Sequence, residues 1–334
     1  MKRAAILGSA LGLALAAAIP VASASATTTL PNGFSAKVVA TSGETITGAI
    51  DATGYDLGIY VGPGVHGVRI ERATVTGAND EGIFVQDASD VVIENSTVEN
   101  NAVAPASGLS EVKGIALAGT RNVLVKDNTV ESNDHGGIGV YDDGPNSPFA
   151  PDAIDTVPVP GVGNVVMGNL VKDNLADCGI VLSAKNPGGG VAHNVITRNT
   201  VVGFDSAADD DVPGVGGIIV AGGAFGPVDV TGNVVTRNVV TGGFIPGISL
   251  HAFGPGVIAG TMLIGNVLSD NGNGAVSEET TGIEIAAGYG GTIAGTQVLG
   301  DSVTGDHYGV FHVGDTGTHI AALTTTGVTT PVGP

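Results

Sequence analysis

The chain is poor in the groups that most protein functions lean on. It has one Cys, no Trp, five Tyr and eight Phe in 334 residues, and charged side chains make up only 13% of it. A single thiol excludes a disulfide framework, and no cluster of His and Cys has zinc spacing. Basic residues are scarce: 12 Lys and Arg stand against 32 Asp and Glu, a formal charge of −20. Nucleic acid and anionic membrane surfaces both demand basic patches, so neither is expected as a partner. Yet 43% of the chain is hydrophobic, too much for a disordered segment. The 55 Gly, with abundant Val, Thr and Asn, favour short strands and tight turns over helices.

Long apolar runs are also missing, apart from one at the N-terminus. Lys2 and Arg3 precede an apolar stretch from Ala4 to Ile19, followed by Pro20 and the small residues Ala22 to Ala26. A basic start, an apolar middle and overlapping A-x-A sites form the pattern of a secretory signal peptide, residues 1–26, cut after Ala24 or Ala26. Its loss removes two basic and no acidic residues, leaving 10 against 32, or −22. The expectation is a secreted, extracellular monomer with no membrane span after cleavage. Cys178 directly precedes the apolar run Gly179-Ile180-Val181-Leu182 and is expected to be a buried small hydrophobe.

Two motifs alternate along the rest. One is Gly followed by apolar, variable and apolar residues, as in Gly58-Ile59-Tyr60-Val61, Gly82-Ile83-Phe84-Val85, Gly137-Ile138-Gly139-Val140 and Gly282-Ile283-Glu284-Ile285. The other is apolar-x-x-Asn-x-apolar-x-x-Asn, as in Val125/Asn128/Val130/Asn133, Val191/Asn194/Ile196/Asn199 and Leu263/Asn266/Leu268/Asn271. The shortest distance between successive Gly motifs is 23 residues, from Gly114 to Gly137. That length holds three short strands and no crossover helix, so each coil stacks on the previous one as a parallel β-solenoid. Asn128, Asn169, Asn194, Asn233 and Asn266 are expected to stack inward at one corner and bond between coils, where αL geometry is tolerated.

These two motifs resemble those of the right-handed parallel β-helix proteins, the pectate lyase-like superfamily. The resemblance covers roughly residues 55–325 and implies an all-β, single-stranded right-handed solenoid of about nine coils, three short strands per coil. Residues 27–54 are expected to form an N-terminal entry strand and cap, 55–325 the β-helix domain, and 326–334 a C-terminal tail. The superfamily includes pectate lyases, polygalacturonases and mannuronan epimerases, which implies an extracellular polysaccharide as partner.

Insertions fall on both edges of the Gly-motif sheet, at about Asp142–Gly163, Asn101–Lys113, Gly203–Gly216 and Gly272–Thr281. They predict a shallow groove with that sheet as floor. Its outward positions are mostly small or apolar. The exception lies near the fourth and fifth coils, where stacking makes His135 a neighbour of Asp177, and Asp142 and Asp143 neighbours of Lys185. A polysaccharide lyase or uronan epimerase would draw base and acid from Lys185, His135 and Tyr141, with Asp142 and Asp143 as possible Ca²⁺ ligands. A glycoside hydrolase would instead use a carboxylate pair from Asp142, Asp143 and Asp177. The string Asn133-Asp134-His135-Gly136 lacks the Pro and Glu of the epimerase Asp-Pro-His-Glu motif, and the polygalacturonase motif set is absent. A surface pair between Asp143 and Lys185 is the plain alternative, and Asp205 with Asp209–Asp211 is expected to be a solvated acidic loop. Two functions stay open: a groove enzyme of one of these three classes, and a non-catalytic secreted β-helix with a binding or cell-surface structural role.

Overall fold

The computed structural model describes residues 28–30, 33–104, 112–145, 157–174, 178–204, 216–223, 225–272, 281–288 and 290–334. Residues 1–26, read as a signal peptide, lie outside them, as do Asp177, the predicted acidic loop 205–211 and most of the predicted insertions. Among the described residues there is no helix long and apolar enough to cross a membrane.

The described chain winds as a stack of parallel strands. One sheet has 12 strands, running from Thr28–Thr29 and Ser35–Val39 through the Gly motifs to Thr330–Gly333. Every pair in it is parallel except the first, Thr28–Thr29 against Ser35–Val39. Register is kept residue for residue: Ile138, Ile180, Ile218, Ile248 and Ile283 stand directly above one another. The long sheet therefore has rungs at Ser35–Val39 and Thr330–Gly333, which carry no Gly motif, beyond the nine that the motif marks. The residues read as an entry strand and as a tail each supply strands to the stack.

The Gly of the motif has a steric cause. A Cβ built on Gly137 would stand 2.5 Å from the carbonyl oxygen of Gly179 in the next coil, and one on Gly179 2.8 Å from that of Gly217. Each Gly lets the following coil's Gly carbonyl approach at a corner where no side chain fits.

An 18-stranded sheet and a five-stranded sheet complete the wall. In the middle coils the chain makes four strands, not three: Ile180–Ala184, Gly190–Ala192, Val195–Thr197 and Thr200–Val202. The three-residue strands bury only their central residue, such as Val166, Ile196, Val235 and Leu263. These residues meet Ile and Val of the long sheet in one continuous core. Burial of that aliphatic column, at about 25 cal/mol per Å², is the main term holding the stack together.

Buried Asn side chains bind coil to coil, in columns different from those expected. Asn128, Asn169, Asn199, Asn238 and Asn266 form one column that ends on Asp301, each Nδ2 donating to the next Oδ1 at 2.7–3.0 Å. Asn194 and Asn233 belong to a second column with Asn164, at the neighbouring corner. Asn101, Asn133 and Asn174 make a third. Nor do these Asn take the left-handed conformation. The residue before each does so: Asp127, Ser132, Asp173, Arg198 and Arg237 have φ between 52° and 56°.

Candidate functional site

Of the five residues singled out in the sequence, four are described, and these four do not converge on one point. His135 directly precedes the strand Gly136–Tyr141, and Asp142 directly follows it. At about 3.3 Å per residue the two lie roughly 20 Å apart, too far to act on one bond. Asp177 is outside the described residues.

Asp142 and Asp143 are buried, and every one of their carboxylate oxygens accepts a hydrogen bond. Asp142 Oδ1 accepts from the Lys185 main-chain N–H at 2.8 Å, and Oδ2 from the Asn186 N–H at 3.0 Å, so the side chain caps the turn of the next coil. Burial pushes its pKa up to about 6, against the pull of those two amides. Asp143 points the other way along the stack. Its Oδ2 accepts from Gln86 Nε2 at 2.7 Å, and Gln86 Oε1 accepts from the Tyr60 hydroxyl at 2.8 Å. Its Oδ1 accepts from the Gly144 N–H at 2.9 Å. The two carboxylates thus diverge, one towards the following coil and one towards preceding coils, and do not fit a shared Ca²⁺. Among the described residues no group of three or more His, Cys, Asp or Glu gathers to hold a metal ion. Lys185 donates its main-chain N–H to Asp142, and Asp143 beside it is buried.

The predicted groove floor is also different in character. Tyr60, Phe84, Ala116, Tyr141, Val181 and Ile219 do face away from the solenoid core, but they are buried in a second apolar cluster with Leu30, Phe34 and Cys178. Cys178 is a buried thiol, as its place before an apolar strand implied. The outer face of the first six or so coils is therefore a second core, and the small side chains there serve packing.

Two clusters were missed. At the leading edge of the long sheet Asp80, Glu81 and Lys113 are all buried. Burial, reinforced by Asp80, raises the Glu81 pKa to about 8 even with Lys113 nearby. The sequence signal was available, since Glu81 and Lys113 each directly precede a motif Gly, Gly82 and Gly114. The second cluster lies on the outer face of the later coils. The Ser249 hydroxyl donates to Glu284 Oε2 at 2.7 Å across one rung. His251, two residues along, is 5% exposed, and neither ring nitrogen has a hydrogen-bond partner. Its ring stacks on Phe253 at 4.1 Å between centroids, and burial lowers its pKa to about 4, leaving it neutral at physiological pH. Read singly, His251 and Glu284 gave no sign of this, because the register that joins them is a property of the stack.

Parallel rungs in register, closed by Asn columns, define the class: a β-solenoid with a long flat sheet. Within that class the chain belongs to the right-handed β-helix family, whose model matches residues 32–154 and, in a second alignment, 58–323. No curated protein sequence matches it. Among solved structures it is similar to PfbA, a surface adhesin of Streptococcus pneumoniae, at 12% identity and a TM-score of 0.47, over 86% of this chain and 70% of that one. It is similar to a family 28 exopolygalacturonase of Yersinia enterocolitica at 14% identity and 0.49, over 81% of this chain and 44% of that one. The A-module of the Azotobacter vinelandii mannuronan C-5 epimerase AlgE6 shares 16% identity at 0.37, over 80% and 68%. None of these likenesses carries activity across.

Proposed function

We propose that this protein is an exported, carbohydrate-facing β-helix that binds a glycan without cleaving it. One observation carries the choice over a groove enzyme: all four oxygens of Asp142 and Asp143 are committed to hydrogen bonds inside the fold, and His135 stands at the other end of the strand. Acid–base chemistry on a glycosidic bond needs two such groups converging on one atom. Export is supported by the N-terminal pattern of Lys2, Arg3 and the run to Ile19. The carbohydrate reading is supported by a long parallel sheet in register, with rungs about 4.8 Å apart, able to face a linear polymer along its length. Half-buried Phe253, Tyr308 and Phe311 sit near Glu284 and Ser249, a mixture of rings and hydroxyl-binding groups suited to sugars.

The test is to mix the mature chain with neutral and acidic glycans, with Ca²⁺ and with chelator, and to follow binding and chain ends together. At least one glycan is expected to bind, unaffected by chelator, with no new reducing or unsaturated ends. Release of either kind of end overturns the non-catalytic reading. Absence of binding across the panel overturns the carbohydrate reading.

A further inference from the structure

The later coils differ from the earlier ones in one respect that bears on ligand class. Arg237 is the last basic residue of the chain; no Lys or Arg follows it to Pro334. The outer face of the long sheet in these coils carries Ser249, Glu284 and Phe311 in one row, paired rung to rung. The adjacent row holds Ala221, His251 and Ala286. Ser249 and His251 are buried, while Phe253, Glu284 and Phe311 are half-buried, so the first two form the bottom of the cluster and the last three its rim.

His251 is the unusual member. Burying a polar group with no partner is costly, and here both imidazole nitrogens are in that state. The ring is flanked along its rung by the methyl side chains of Ala221 and Ala286 and backed by Phe253. A Cβ built on Gly288 would lie 3.9 Å from Nε2, so the Gly288 backbone lies on the side of that nitrogen. A neutral imidazole offers one N–H donor and one acceptor nitrogen, which a vicinal diol satisfies with one accepting and one donating hydroxyl. Glu284 Oε2 accepts from the Ser249 hydroxyl, which holds the carboxylate at the rim beside the imidazole. The faces of Phe253 and Phe311 supply apolar surface for the C–H side of a sugar ring.

We propose that Ser249, His251, Phe253, Glu284 and Phe311 form a subsite for one uncharged, hydroxyl-rich ring of a neutral glycan. This rests on the carbohydrate reading above and narrows it. A uronate is excluded by charge: its carboxylate would face Glu284 with a neutral imidazole and no basic residue in the later coils to compensate.

The experiment uses the full mature chain in affinity electrophoresis through gels containing a neutral glucan, xylan or mannan, or alginate or pectate, with His251→Phe and Glu284→Gln beside the wild type. At least one neutral glycan is expected to retard the wild type, alginate and pectate to leave it unretarded, and each substitution to weaken the apparent affinity by about tenfold or more. His251→Phe removes two orphan nitrogens and keeps a ring of similar size, so its unfolding midpoint is expected to match or exceed that of the wild type. Loss of binding then cannot be loss of fold. Binding equal to wild type in both variants overturns the subsite while the carbohydrate reading stands. Equal retardation by alginate or pectate overturns the neutral class. No retardation in any gel overturns both.

Discussion

Asn194 makes every hydrogen bond its side chain has room for within the stack. Its Oδ1 accepts from the Asn164 N–H at 2.8 Å, and its Nδ2 donates to the Gly161 carbonyl at 3.1 Å and to Asn233 Oδ1 at 3.1 Å. Replacement by Ala strands the Asn164 N–H and takes a donor from the Gly161 carbonyl, while Asn233 Oδ1 keeps the main-chain N–H of residue 194 at 2.9 Å, so Asn194→Ala is expected to cost about 1–3 kcal/mol in denaturant unfolding. Arg198, four residues on, is a different case. Its φ is 55°, and the buried Asn199 follows it. Only its backbone matters to the fold, so Arg198→Ala should change stability by less than about 0.5 kcal/mol. Arg198→Gly should stabilise by up to about 1 kcal/mol, because Gly takes the left-handed conformation without the Cβ penalty. A destabilised Arg198→Gly in the same unfolding assay would show that the arginine side chain itself holds the turn.

At the scale of the strand and its corners, the motif Gly is the most exacting position. Gly137→Ala sets a methyl 2.5 Å from the Gly179 carbonyl oxygen and brings it against the side chain of Val171 in the core. Neither neighbour can retreat without opening the ladder from Ile138 to Ile180, so a loss of about 2–4 kcal/mol is expected on unfolding. A loss below 1 kcal/mol would mean that the coils slide apart more readily than a close-packed stack allows. This motif and the coil length were legible in the sequence because they are steric and repeat. The Asn columns were only half legible. Consecutive corners are five residues apart, and coil lengths vary, so Asn194 and Asn199 are both reasonable partners for Asn169 until pairing is known. The choice falls to Asn199 because Leu170–Lys172 lies beside Thr200–Val202. The candidate site was less legible still. Carboxylates near a loop resemble catalytic groups in one dimension, and only the stack shows Asp142 reaching forward to Lys185 and Asp143 reaching back to Gln86. A buried outer face is likewise invisible in the alternation of Ile and Val, since a covered surface and a solvated small-residue surface share a composition.

For the whole molecule, the buried acids decide how stability depends on pH. Glu81, Asp142 and Asp306 have their pKa pushed up, to about 8, 6 and 6, and Asp301 is raised as well, in each case first by burial. A raised acid binds its proton more tightly in the folded chain, so its contribution is complete below the unfolded pKa near 4 and lost as pH climbs through the folded value. His251 acts in the opposite sense. Its lowered pKa gives stability that is present above about 6.5 and lost as pH falls towards 4. The contributions oppose one another in mild acid, and above pH 6.5 the slope passes mainly to Glu81. The unfolding midpoint is therefore expected to fall between pH 6.5 and 8.5, the reverse of a protein held by exposed carboxylates. Repulsion on a chain of net charge −20 adds to the fall, but salt screens that part and does not reach a buried carboxyl. Glu81→Gln, measured at 0.5 M salt across this range, should flatten the curve while leaving the midpoint at pH 5 within roughly 2–4 °C of wild type. A slope unchanged by Glu81→Gln would assign the buried proton to another group. Asp301→Asn separates the far end of the stack. The new amide can keep accepting from Asn266 on Oδ1 and gain a donor towards the Leu263 carbonyl, as Asn266 itself donates to Val235 at 3.0 Å. It removes the orphan Oδ2 and the acid together, so the variant should be more stable than wild type at pH 7, and the gap should narrow as pH falls and the native Asp301, its pKa raised by burial, takes up its proton. A penalty at pH 7 would mean that the column needs a charged last member, and that Asp301 is not simply an Asn position gone acidic.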